Sequence, residues 1–277
     1  MLWILLAVSE TSRWTAPAEF GSFADGRLLE SSGLAPSYEF KDNYYTHNDS
    51  GDKPRFFRFD KKGVNAVFNL KGANAFDWED MASVRRNGRS WLYFGDFGDN
   101  SKVRETVVIY RLKEPNGGSG AIEDFDTYTF KYQDGPHNCE AMFVDPGTGH
   151  IYLVTKEKSK ADVFVLDSPK TSGVNVARKL GEIRPNTGMG EFGRLVTAAS
   201  TDPQGKHVII RTYSGALEYN VTGKYQDWWQ SKPQAVTMPL DPQGEAICYS
   251  NDGKRLLTST EGTPCNIHFL TLAPKKQ

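Results

Sequence analysis

NCEAMFVDPGTGH, residues 138–150, places the carboxylate of Glu140 at the head of an otherwise apolar strand that runs into an Asp-Pro-Gly turn. A charge at the start of a buried strand costs free energy unless a partner holds it. The device recurs: ESSGLAPS begins at residue 30, EDMASVRRNG at 79, EAMFVDPGTG at 140, TAASTDPQGK at 197 and EAICYSNDGK at 245. The spacings are 49, 61, 57 and 48 residues. After each head come an apolar strand, a polar turn and two or three further strand-like runs. In the third unit these are EAMFVD, HIYLVTKE, ADVFVLD and NVARKLGEI. Four strands per ~50 residues is the period of a propeller blade.

The fifth unit stops after three strands at CNIHFLTLAPKKQ (265–277), while an unassigned strand-like segment, RWTAPAEFGSF (13–23), precedes the first unit. Joining the two ends completes the last blade and leaves no open radial edge. The pattern therefore predicts an all-β chain: one five-bladed β-propeller over residues 13–277, its N-terminal strand closing the last blade. Six blades is the alternative, if the longer units hide a degenerate one. A β-sandwich has no reason to repeat a strand head every 48 to 61 residues.

Composition agrees. Glycine at 26 residues and aromatics at 12% suit many short strands joined by tight turns. With 33 basic and 34 acidic residues the net charge is −1, which gives no electrostatic footprint for nucleic acid or an anionic membrane surface. Three cysteines without CxxC spacing exclude a simple disulfide framework and a thiolate zinc site. Residues 1–12, MLWILLAVSETS, contain a short apolar run read as an export signal or a disordered start. No other stretch reaches the ~20 apolar residues of a membrane helix.

The first strand of a propeller blade lines the central channel, so Glu30, Glu79, Glu140 and Glu245 should converge near one mouth, with Thr197 at the fifth place. Converging carboxylates raise one another's pKa and need compensation. Two readings are open. Each glutamate staples its blade to the next by accepting amides, or the four hold a hard cation such as calcium, which matches an all-oxygen site. The second strands add Asp49 in NDSGD (48–52) and Asp96 in GDFGDN (95–100), whereas units three and four carry Lys156 and Arg211 instead. A change of sign on a repeated scaffold suits an anionic or carbonyl-bearing ligand beside a metal. His137, just ahead of Glu140, offers a general base or a ligand.

The run ESSGLAPS, YYTHNDSGD, FRFDKKG, DWEDMAS, LYFGDFGDN, VIYRLKEP and NCEAMFVDPGTGHIYLVTKE resembles bacterial propeller proteins grouped as phytase-like or esterase-like. More distantly it is similar to calcium-dependent lactonase propellers. The resemblance implies a secreted or periplasmic propeller with calcium-assisted hydrolysis of a phosphate ester or lactone, and Glu30, Glu79, Glu140 and Glu245 as its axial acidic positions. Such enzymes typically have six blades, where the repeats here count five. The resulting expectation is a metal-assisted hydrolase. Asp49, Asp96, Lys156, Arg211 and His137 serve its chemistry, a small molecule or glycan sits at the mouth, and the chain works as a monomer. A five-bladed glycoside hydrolase using two mouth carboxylates and a non-catalytic protein- or glycan-binding propeller are the competing readings.

Overall fold

The computed structural model describes residues 12–239 and 243–274; the stretch read as an export signal, apart from Ser12, lies outside the described residues. The fold is all-β with one short 3-10 helix. Strand β1 (Ala18–Phe23) comes first. Unit I follows with β2 (Ser31–Pro36), β3 (Tyr44–Asn48), β4 (Arg55–Asp60) and β5 (Gly63–Leu70). Unit II has β6 (Trp78–Arg86), β7 (Arg89–Asp96) and β8 (Val107–Lys113), then, after the short β9 (Gly120–Ile122), β10 (Asp126–Tyr132). Unit III holds β11 (Cys139–Val144), β12 (Ile151–Thr155), β13 (Ala161–Leu166) and β14 (Asn175–Ile183). Unit IV holds β15 (Val196–Thr201), β16 (His207–Thr212), β17 (Gly215–Asn220) and, after the helix Tyr225–Gln230, β18 (Gln234–Val236). Unit V holds β19 (Gly244–Tyr249), β20 (Arg255–Thr260) and β21 (Cys265–Thr271).

Within each unit the strands pair antiparallel in order, and β1 pairs antiparallel with β21 from Ala18↔Phe269 to Phe23↔Cys265. Ahead of it, Arg13 makes two 2.8 Å hydrogen bonds to Glu218 of unit IV, and the Trp14 indole donates to the same carboxylate. The first strands β2, β6, β11, β15 and β19 pack successively against one another, and β19 returns to β2. The extra length between units II and III forms no further unit among the described residues. There β9 adds parallel to β5 of unit I, and the end of β10 pairs parallel with β14. No helix among the described residues is long and apolar enough to cross a membrane.

Burial explains the strand sequences. Strands β12 and β13 are buried at every position, because units pack on both of their faces, so IYLVT and ADVFVL read as continuous apolar runs. Outer strands alternate instead: Ala66, Phe68 and Leu70 of β5 are buried and Asn65 and Asn69 are exposed.

Every inner strand carries one extra residue at the same place. The pairing shifts between Ser31 and Gly33, Trp78 and Met81, Cys139 and Ala141, Val196 and Ala198, and Gly244 and Ile247. These bulges re-aim the head side chains out of the ladder. They also correct the sequence alignment: the residue level with Glu79, Glu140, Thr197 and Glu245 is Ser32, and Glu30 stands two positions earlier, level with Asp77 and Asn138. Gly33 is required by close approach, since a Cβ there would lie 2.4 Å from His47 Nε2 and 2.8 Å from the Met81 nitrogen.

The staples between units are made chiefly by neighbours of the glutamates. Asp80, fully buried, accepts the amides of Met81 (2.8 Å), Met142 of unit III (2.8 Å) and Ala199 of unit IV (3.1 Å). Ser32 donates to the Glu79 carbonyl, and Thr197 donates to the Glu245 carbonyl at 2.8 Å. Burial lifts the Asp80 carboxyl well above its ordinary range, and the three amides oppose that rise. Replacing Asp80 by Ala orphans three buried donors. Denaturant unfolding should show a loss of about 3 kcal/mol or more, and a variant as stable as the parent would rule out the staple.

Candidate metal centre

The mouth at the strand heads gathers Glu79, Glu140 and Glu245 from the bulges, with Asp77 just ahead of β6 and with Asp49, Lys156, Tyr213 and Glu261 just past the ends of β3, β12, β16 and β20. One carboxylate oxygen from each of Asp49, Asp77 and Glu79 lies within 4.8 Å of the others. Glu140 lies close enough to Glu79 for its charge to lift the Glu79 carboxyl. Glu140 in turn accepts from the Asn138 amide at 3.0 Å and pairs with Lys156 at 3.2 Å, and the Lys156 ammonium donates to the Tyr213 hydroxyl at 2.8 Å.

Each part is positioned by local chemistry. Asp96 accepts the amides of Phe76 (3.2 Å) and Asp77 (3.1 Å) and pairs with Arg104 at 2.9 Å, so it fixes the loop that presents Asp77. Gly98 lets that loop close on the carboxylates, because a Cβ there would lie 2.1 Å from Glu79 Oε1 and 2.4 Å from Asp77 Oδ2. Asn138 accepts the Asp99 amide at 2.9 Å while donating to Glu140, tying unit II to unit III at the rim.

The electrostatics are those of a crowded acidic site. Burial, then the charges of Glu140 and Asp49, hold Glu79 well above its ordinary range. Burial with Asp49 and Glu140 pushes Asp77 up to about 6. Burial pushes Glu245 up to about 8, Lys156 opposing and Glu261 and Glu140 adding to the rise. Asp49 and Glu261 are raised for the same leading reason. For Lys156 burial acts the other way, but Glu140 and Tyr213 outweigh it and hold the ammonium charged.

The structure thus brings Glu79, Glu140, Glu245, Asp49 and Lys156 together and sets other expected residues apart. Glu30 is exposed and forms a β-bridge with Glu261 at the rim. Asp96 is occupied by Arg104 and two backbone amides, which makes it a positioning group. Arg211 is fully buried, two residues below the level of Lys156, with its guanidinium against Gly244, where a Cβ would meet Nη2 at 1.7 Å. His137 faces away from the mouth: it bonds Asp134 at 2.8 Å and packs on Tyr132 and Phe164. Asp134, His137 and Asp162 form a second cluster, but the Lys179 ammonium already bonds both aspartates, at 2.9 and 2.8 Å. Asp77 and Asp80 were missed by sequence reasoning; the signal was the acid-rich string FDWED.

No family model matches the chain, and no curated protein matches its sequence. Among solved structures it is similar to a gluconolactonase from Xanthomonas campestris, with a TM-score of 0.53 and 12% identity over 93% of this chain and 89% of that one. It is also similar to a luciferin-regenerating enzyme, with a TM-score of 0.50 and 9% identity over 91% of this chain and 95% of that one. Both neighbours are six-bladed propellers. At such identities the likeness speaks for the fold alone.

The raised carboxyls make stability depend on pH. A carboxyl whose folded pKa lies above its unfolded value contributes fully below the unfolded pKa, and that contribution is lost as pH rises through the folded one. For Glu245 the window runs from 4.5 to about 8. The cation-free protein should therefore melt at a lower temperature at pH 8.5 than at pH 5. In Glu245→Gln the fall should be smaller; an identical pH profile in that variant would mean Glu245 is not the titrating group.

Proposed function

We propose that the chain is a five-bladed propeller that holds a divalent cation at Asp49, Asp77 and Glu79 and hydrolyses an ester or lactone at that mouth. The observation that carries the reading is the position of Lys156, an ammonium bonded to Glu140 and Tyr213 at the edge of an oxygen triad. The residues fit a hard cation. All three donors are carboxylate oxygens, and their oxygens lie near enough to one another to share one ion with calcium–oxygen bonds of about 2.4 Å. A bound cation would polarise the carbonyl oxygen and offset the carboxylate charge.

The chain's own groups divide the remaining work. Glu140, paired with Lys156, takes the proton of the attacking water as its oxygen bonds to the carbonyl carbon. Lys156 and the Tyr213 hydroxyl donate toward the oxyanion. Glu245, neutral up to about pH 8, gives its proton to the departing alkoxide as the carbon–oxygen bond breaks. An ester gives a carboxylic acid and an alcohol, and a lactone gives a single hydroxy acid. Between the two expected substrate classes, the excess of acids over Lys156 favours a neutral ester or lactone over an anionic phosphate ester.

Elemental analysis, melting in chelator with calcium added back, and a panel of lactones and aryl esters test this reading. About one calcium per chain and calcium-dependent turnover are expected. Glu79→Gln should lower calcium affinity at least ~10-fold and Asp52→Asn, outside the cluster, should not, whereas Lys156→Met should lower kcat ~100-fold with little change in calcium affinity. Equal, calcium-independent losses of stability in all three variants would leave the mouth a structural staple.

A further inference from the structure

The end of unit II opposite the acidic mouth carries the reverse charge. VRRNGRSW (84–91) forms the β6–β7 hairpin, and Asn87 and Gly88 take φ of 51° and 74°, the backbone of a two-residue I′ turn. That turn sets Arg86 opposite Arg89, then Val84 opposite Trp91; further in, Tyr93 pairs with Arg111 and Arg111 with Asp126. Pairing and period-2 alternation put these side chains on one face of the sheet. Where unit III packs on that face it is apolar, with Val84, Tyr93 and Tyr128 in one cluster with Met142 and Ile151. Toward the hairpin the face turns basic. Arg86, Asn87, Arg89, Trp91, Tyr93 and Arg111 line an open groove of about 350 Å³ whose lining holds no carboxylate. A second hollow of about 170 Å³ shares Arg86, Tyr93 and Arg111 and reaches Thr148 and Gly149 of unit III.

Two of the three guanidinium groups are held in place. Arg111 lies over the Trp91 ring at 4.4 Å and is fixed from its outer side by two hydrogen bonds to Asp126. Arg86 donates to the Gly147 carbonyl at 3.1 Å and passes over Gly149, where a Cβ would come within 2.7 Å of Nη1. Arg89 is exposed and forms no ion pair among the described residues.

We propose that this groove binds a phosphate monoester on a sugar-sized scaffold. Three guanidinium groups against the single carboxylate of Asp126 leave an excess of two positive charges, which matches a dianion. Planar guanidinium forks suit tetrahedral oxyanions, and their preorganisation lowers the entropic cost of binding. The volume exceeds that of a bare phosphate and falls at the lower end of small-molecule sites. Nothing in this site draws on the acidic mouth.

Calorimetric titration with N-acetylglucosamine 6-phosphate, its 6-sulfate counterpart and inorganic phosphate tests the proposal. The phosphate ester should bind with a Kd below ~1 mM, weaken as salt is raised, and bind at least tenfold tighter than either inorganic phosphate or the sulfate ester. Arg86→Ala/Arg89→Ala, with an unchanged melting temperature, should lower its affinity at least tenfold, while Glu79→Gln leaves it unchanged. Equal affinity for inorganic phosphate would overturn the sugar-sized site, equal affinity for the sulfate ester would overturn the dianion match, and undiminished binding in the double variant would remove the groove from consideration. Should the double variant melt lower, Arg89→Ala alone carries the test, since its side chain is exposed and unpaired among the described residues.

Discussion

One extra residue at the head of each inner strand is the constraint on which both the ring and its mouth depend. A regular strand would send successive side chains to alternate faces, into the neighbouring units on either side. The bulge breaks that alternation, so in unit II adjacent residues do different work: Glu79 joins the mouth cluster while Asp80 accepts amides from units III and IV. A carboxylate that binds three units at once resists their separation, and it needs no room beyond the axis itself. The packing of small residues follows from the same approach of backbones, as at Gly33, where any side chain would strike His47 and the Met81 amide.

The same geometry forces acids together at a cost. Moving Glu245 from 4.5 to about 8 corresponds to ~5 kcal/mol of preference for the neutral form over the charged one. Lys156, even with Arg211 acting on Glu245 and Arg104 on Asp77, cannot balance Glu79, Glu140, Glu245, Asp77, Asp49 and Glu261. Either protons or a cation must make up the difference, and the two compete. A divalent ion at Asp49, Asp77 and Glu79 would expel protons there, whereas Glu245, outside that triad, keeps its proton and with it the capacity to act as an acid. Under the proposed reaction, the carboxyls would differ in role through their charged neighbours rather than through residue type.

What the sequence could show depended on how far each signal survives a bulge. The all-β class, the repeat and the strand order were legible, because hydrophobic runs and turn residues tolerate a one-residue offset. Site residues were less legible, since a one-to-one alignment cannot see which residue is the extra one. Aligning ESSG with EDMA put Glu30 beside Glu79, whereas pairing puts Ser32 there. The shared Asp-x-Gly-Asp of units I and II misled in the same way: Asp96 pairs with Trp78 inside the ladder, while Asn48 holds that place in unit I and Asp49 lies one residue beyond it. Lys156 and Arg211 likewise stand at different levels. Only side-chain partners could demote His137 to a bond with Asp134 or reveal Asp77 as the third member of the triad.

Access to the channel narrows the chemistry further. At the far end, Leu34, Phe143, Tyr249 and their neighbours leave a hollow of about 10 Å³, too small for more than about one water. Beneath the heads, His47 is fully buried and burial pushes it down to about 4, so it adds no charge to the axis at neutral pH. The low-dielectric walls concentrate the negative field at the acidic mouth. Such a mouth draws cations in and repels free anions, so an uncharged ligand meets less opposition there than an anionic one. Under the proposed reaction, repulsion of the newly formed carboxylate would favour its release by the same acids that hold the cation.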